Sequence, residues 1–197
     1  MAGKYYGVKR SDAFLAHYGI KGQHWGVKNG PPYPLNSKYK DPQAMSNDMK
    51  TWKYSNYSKL QNPEETYKKR SGSCHDQVIF EMQELRRMGY KPKATFVMEH
   101  DGKGQGGTTH SYVTYKGKDG KTHWFENAWG GKEGDHIFDS PQAVKKHIKS
   151  IHTRVNQFGD NRAYPYIEFV DFSDSDHQYG ESLQEFVDNC FNHKSRR

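Results

Sequence analysis

The stretch SGSCHDQVIFEMQELRRMGYKPKA, residues 71–94, sets the organisation of this chain. Its spacing predicts a helix from Ser73 to Gly89. Ser73 suits the N-cap, and Asp76 places an acid in the first turn, where the helix dipole favours it. Val78, Met82, Leu85 and Met88 recur at helical spacing as one apolar stripe. Gly89 fits the left-handed position past the last turn, and Pro92 stops the helix from resuming. Cys74 is thereby put at the first helical position, where unpaired backbone N–H groups and the positive dipole end favour a thiolate over a thiol.

Two further segments supply the partners that a reactive sulfur needs. HSYVTY, residues 110–115, is rich in β-branched and aromatic residues. KGKDG, residues 116–120, carries an Asp-Gly turn signal, and Thr122 to Trp129 returns as a second strand. In such a hairpin His110, at the start of one strand, lies near Glu126 to Ala128 at the end of the other. Side chains alternate, so Trp124 and Glu126 share one face while Phe125 and Asn127 share the other. Glu126 is the preferred residue to orient the imidazole, with Asn127 as the alternate if a bulge swaps the faces. Cysteine, histidine and an acid in this order point to a sulfur nucleophile that works through a thioester, which means acyl transfer or hydrolysis. The plain alternative is that Cys74 is a buried core residue, as most unpaired cysteines are.

These residues also resemble the core signature of the transglutaminase-like superfamily. The likeness rests on GSCHDQ at 72–77, LRRMGYKPKA at 85–94, His110 on a strand and the aromatic strand ending in Phe125-Glu126. Where that family usually has Asp as the third residue, this chain has Glu126. The resemblance implies an α+β, papain-like fold in which the cysteine helix packs on an antiparallel sheet. It implies a Cys74–His110 pair oriented by Glu126. It also implies an oxyanion hole formed by the Cys74 backbone N–H and one upstream donor, for which Trp52 is the candidate. The activity implied is that of a cysteine hydrolase or protease on peptide or isopeptide bonds. A transglutaminase cross-linker, with an amine in place of water, and a non-catalytic phage structural or adaptor protein are the alternatives. Residues 15–28, LAHYGIKGQHWGVK, look like a short tag found in structural proteins of tailed phages and prophages. That likeness implies a phage or host protein partner reached through the tag, and a site of action in the bacterial host cytoplasm or the virion.

The 197 residues divide into an arm, 1–40, and one domain, 41–197. The arm carries the tag and the Pro31–Pro34 linker, lacks periodicity and is expected to be flexible. In the domain, Asn47 to Leu60 is ambiguous between helix and loop, Asn62-Pro63 starts a short helix, and Ser140-Pro141 starts another that runs to about Ile151. Tyr164 to Phe172 suits a strand, and Ser182 to Phe191 a closing helix with Cys190 on its apolar side. Thirty Lys and Arg against 23 Asp and Glu give a net charge of +7. The basic residues are scattered and no nucleic-acid motif accompanies them, so the partner expected is a protein or peptide substrate. Two cysteines 116 positions apart do not make a disulfide framework. No apolar run has membrane length.

No cofactor or metal is expected. Gly102, Gly104 and Gly107 fit a dinucleotide spacing but do not open a helix, and are read instead as a mobile rim beside His110. Asp171 to Asp176 lacks the glycine and terminal glutamate of a calcium loop. His75, His100 and His123 fall at no zinc spacing.

Overall fold

A computed structural model of the chain describes residues 37, 39–103, 106–155 and 165–194. The tag at 15–28 and nearly all of the expected arm lie outside these residues. The elements run α1 (Pro42–Met49), β1 (Lys53–Tyr54), α2 (Pro63–Lys69), β2 (Ser71–Gly72), α3 (Cys74–Arg87), β3 (Lys93–His100), β4 (Gly106–Lys116), β5 (Thr122–Glu126), β6 (Gly134–Phe138), α4 (Pro141–Val155), β7 (Tyr166–Phe172) and α5 (Leu183–Lys194). The architecture is mixed α+β. Five strands form one antiparallel sheet in the order β6-β5-β4-β3-β7, and β1 and β2 make a separate two-stranded parallel pair.

Strand alternation divides the interior into two cores. Ala94, Phe96, Met98, Val113 and Phe125 point to one face and pack with α3 and with Phe186, Val187 and Cys190 of α5. Val97, Tyr112 and Trp124 point to the other, where α4 covers them with Val144, Ile148 and Ile151. Each face thus buries several large side chains, at about 1.5–3 kcal/mol apiece. No helix among the described residues is long and apolar enough to cross a membrane.

Three elements depart from the sequence-based expectations. α3 is not a surface helix with one apolar stripe, because every residue from Cys74 to Leu85 is buried. The sheet, α5 and the segment containing α1 and α2 enclose it. The stretch from Asn47 to Leu60 divides into the end of α1, the two-residue strand β1 and a loop. β4 begins at Gly106, so His110 sits four residues inside the strand and not at its head. Pairing of His100 with Gly106 brings Gly106 and Gly107 into the sheet, so the end of the expected rim is strand.

Candidate active site

The start of α3 is fixed by a reciprocal cap. The Ser73 hydroxyl accepts from Asp76 N–H at 3.3 Å, and Asp76 Oδ2 accepts from Ser73 N–H at 2.8 Å. The other oxygen of Asp76 accepts from Gln61 N–H at 2.7 Å, which ties the preceding loop to the same turn. Gly72 keeps this arrangement close, since a Cβ there would stand 2.7 Å from Asp76 Cβ. Asp76→Ala removes the acceptor from two buried N–H groups. It is expected to cost about 2–3 kcal/mol, read as a fall in the urea midpoint; an unchanged midpoint would contradict this account of the cap.

The hairpin brings the second and third residues together. β5 pairs only with the second half of β4, from Val113↔Phe125 to Lys116↔Thr122. The first half of β4, carrying His110 and Ser111, meets the start of α3 instead, and Ser111 Oγ lies 3.0 Å from His75 Nδ1. His110 Nε2 is 2.7 Å from Glu126 Oε2. Glu126 Oε1 accepts from the N–H groups of Ala128 and Trp129 at 2.9 and 3.0 Å, because β5 ends at Glu126 and the chain turns back over the carboxylate. The acid is therefore held from both sides. Trp129 covers His110 edge-on at 5.0 Å and rests in turn on His152, itself 3.1 Å from Glu99.

Cys74 completes the group. Glu126 occupies Nε2 of His110, and the same imidazole acts electrostatically on the Cys74 sulfur. His75 flanks the same sulfur, with its two ring nitrogens 3.8 and 3.9 Å away. Burial pushes the thiol up, but the two imidazoles outweigh it and bring Cys74 down to about 5. For His110, burial disfavours the charged ring, and Glu126 with the Cys74 sulfur overcomes this and raises it to about 10. Between these limits the pair exists as thiolate and imidazolium. Glu81, two turns along α3, is pushed well up by burial and by the charge of Glu126.

The alternates go elsewhere. Asn127 Nδ2 donates to Gln77 Oε1 at 2.7 Å, and Gln77 Nε2 donates to Gly72 O at 2.9 Å, a strap from the β5 turn to the cysteine loop. Trp52 donates its indole N–H to Asp48 at 3.0 Å and packs on Phe80 in the main core, so that N–H is not turned to the sulfur. Of the other aromatics near the hairpin, Trp124 and Phe125 are core and only Trp129 touches the site.

A cavity of about 310 Å³ opens over Cys74, lined among others by Tyr54, Tyr57, Leu60, Thr109, Leu183 and Phe186. Its mixed aromatic, aliphatic and polar wall suits an extended peptide-like segment better than a small ion. From the sequence, His75 is weighed only as a zinc ligand and Tyr54 is not singled out. His75 could have been found by its adjacency to Cys74, whereas Tyr54 had no local signal.

Cys190 provides an internal contrast. Its sulfur is 3.7 Å from His177 Nε2, and His177 Nδ1 is 2.7 Å from Glu181 Oε1. The residue types match those around Cys74, but Cys190 is wholly buried inside α5. Burial and the acids Glu181 and Asp176 push its thiol well up. A cysteine, a histidine and a glutamate in contact do not by themselves make a reactive sulfur. Cys74 differs in its place at a helix start, in the two imidazoles that lower its thiol and in the cavity that it lines.

Among known families, the chain matches the model of a family of unknown function, DUF7211, over residues 8–32. That stretch contains the tag-like segment and lies before the first described residue. No curated protein matches the chain.

Proposed function

We propose that this chain is a cysteine-dependent acyl hydrolase or protease of papain-like, transglutaminase-like type, acting on peptide or isopeptide bonds and encoded by a phage or prophage. The observation that carries the reading is the Glu126–His110 pair at 2.7 Å together with a Cys74 thiol lowered by His75 and His110, at a helix N-terminus on the wall of an open cavity. In this reading the Cys74 thiolate attacks a carbonyl carbon. The imidazolium of His110 gives its proton to the leaving amine, and the thioester remains. His110, now neutral, takes a proton from water as that water attacks the thioester, and Cys74 is released as thiolate. Glu126 holds the ring orientation and supports its charge throughout.

The acceptor decides between hydrolase and transglutaminase. Incubating the protein with a glutamine-containing peptide and a labelled primary amine separates them. Cleavage of the peptide without label incorporation is expected. Incorporation dependent on Cys74 would move the assignment to cross-linking. Neither product, together with a Cys74→Ala variant indistinguishable from the parent in a lysate peptide-mass comparison, would favour the non-catalytic phage protein instead.

A further inference from the structure

Tyr54 is carried to the sulfur by a contact that is distant in sequence. In the parallel pair β1–β2, Tyr54 stands opposite Gly72, and Ser55 N–H donates to Gly72 O at 3.1 Å. Gly72 precedes Cys74 by two residues, so this short pair places the tyrosine ring on the wall of the cavity above the nucleophile. The ring is 52% exposed and shares the cavity wall with Cys74, whose backbone and sulfur both act on its hydroxyl.

We propose that the Tyr54 hydroxyl is the second donor of the oxyanion hole, acting with the Cys74 backbone N–H. The assignment rests on the acyl-transfer reading above and gives Tyr54 the role first expected of Trp52, whose N–H is committed to Asp48. In this role an incoming carbonyl oxygen accepts from the Cys74 N–H and from the Tyr54 hydroxyl on the same cavity wall. When sulfur bonds to the carbonyl carbon, the C=O electron pair moves onto oxygen. The resulting oxyanion receives hydrogen bonds from Cys74 N–H and Tyr54 O–H. Its collapse restores the C=O bond and expels the leaving group, which takes its proton from His110. Burial and the neighbouring thiolate hold the Tyr54 hydroxyl above the ordinary phenol range, so it retains the proton it must donate. Donors aimed at developing charge are worth more than donors to the ground state, and this one is held ready by the backbone of β1.

Two reactions of the same sulfur separate this role from others. Alkylation by iodoacetamide forms no oxyanion, whereas acylation by p-nitrophenyl acetate does. Both are followed on the full chain and on Tyr54→Phe, which keeps the ring and its packing, with modification of Cys74 read by intact and peptide mass. The expected result is that Tyr54→Phe slows acylation on the order of 100-fold, while alkylation stays within about threefold at every pH. Equal acylation of the two proteins overturns the assignment and leaves the acyl-transfer reading standing. Parallel losses in both reactions also overturn it, and make Tyr54 a support for the thiolate. If the parent protein acylates no faster than a free thiol of matched pKa, the acyl-transfer reading falls and the assignment falls with it.

Discussion

At pH 6, iodoacetamide alkylates Cys74 and leaves Cys190 unmodified until denaturant is added. With a thiol near 5, Cys74 is mostly thiolate at that pH, whereas an ordinary thiol near 8.5 is ionised to well under about 1%. The gain in thiolate, about 300-fold, is partly offset because a less basic sulfur is a weaker nucleophile. A Brønsted slope near 0.45 over about 3.5 units removes a factor of roughly 40. The net expectation is a rate roughly tenfold above that of a free cysteine peptide at pH 6. The sign of the pH dependence follows from the lowered thiol: reactivity falls as pH drops through about 5 and is flat above that until His110 loses its proton near 10. Cys190, with its thiol pushed up and no opening, contributes nothing in this range. An acid limb centred at 8–9, or equal labelling of the two cysteines, would remove the basis for a nucleophile at residue 74.

The second large effect belongs to Glu126. Glu126→Gln keeps the size of the side chain but removes the charge that sustains the imidazolium, and it puts an amide where a carboxylate oxygen met His110 Nε2 at 2.7 Å. Acylation of Cys74 is expected to fall on the order of 1,000-fold, and the acid limb of alkylation should move upward as the thiolate loses its counter-charge. Glu126→Ala should go further, because it also strips the acceptor from the N–H groups of Ala128 and Trp129. The expected loss of stability is about 3 kcal/mol, visible in the denaturant midpoint. Comparing the two variants separates chemistry from folding. If Glu126→Gln acylates like the parent, the carboxylate is structural and the triad reduces to a pair.

The parts of this site that sequence made legible are those set by local rules. The cap at Ser73 and Asp76, the left-handed Gly89 and the helix between them are written within 17 residues. The approach of Glu126 to His110 follows from one hairpin and its alternation. What stayed hidden depends on contacts that sequence spacing does not encode. The parallel match of Tyr54 with Gly72 involves strands of two residues, too short to carry a pattern. β6 reads Gly-Asp-His-Ile-Phe, an edge strand with little alternation, and was not anticipated. Gln77, Glu81 and Glu84 look like a solvent face, but they are buried because the helix is enclosed. Glu84 pairs there with Arg87 at 2.8 Å. Trp129 is legible in the sequence only as the end of a strand, since its place over His110 depends on the turn after β5.

The cap that presents Cys74 is also a joint of the fold, and this has an evolutionary corollary. On the acyl-transfer reading, a lineage that abandoned the chemistry could let position 74 drift, but it would have to keep Gly72, Ser73 and Asp76 to hold its central helix and a partner at position 110 for the buried Glu126. Loss of Cys74 beside an intact cap would then mark a retired scaffold.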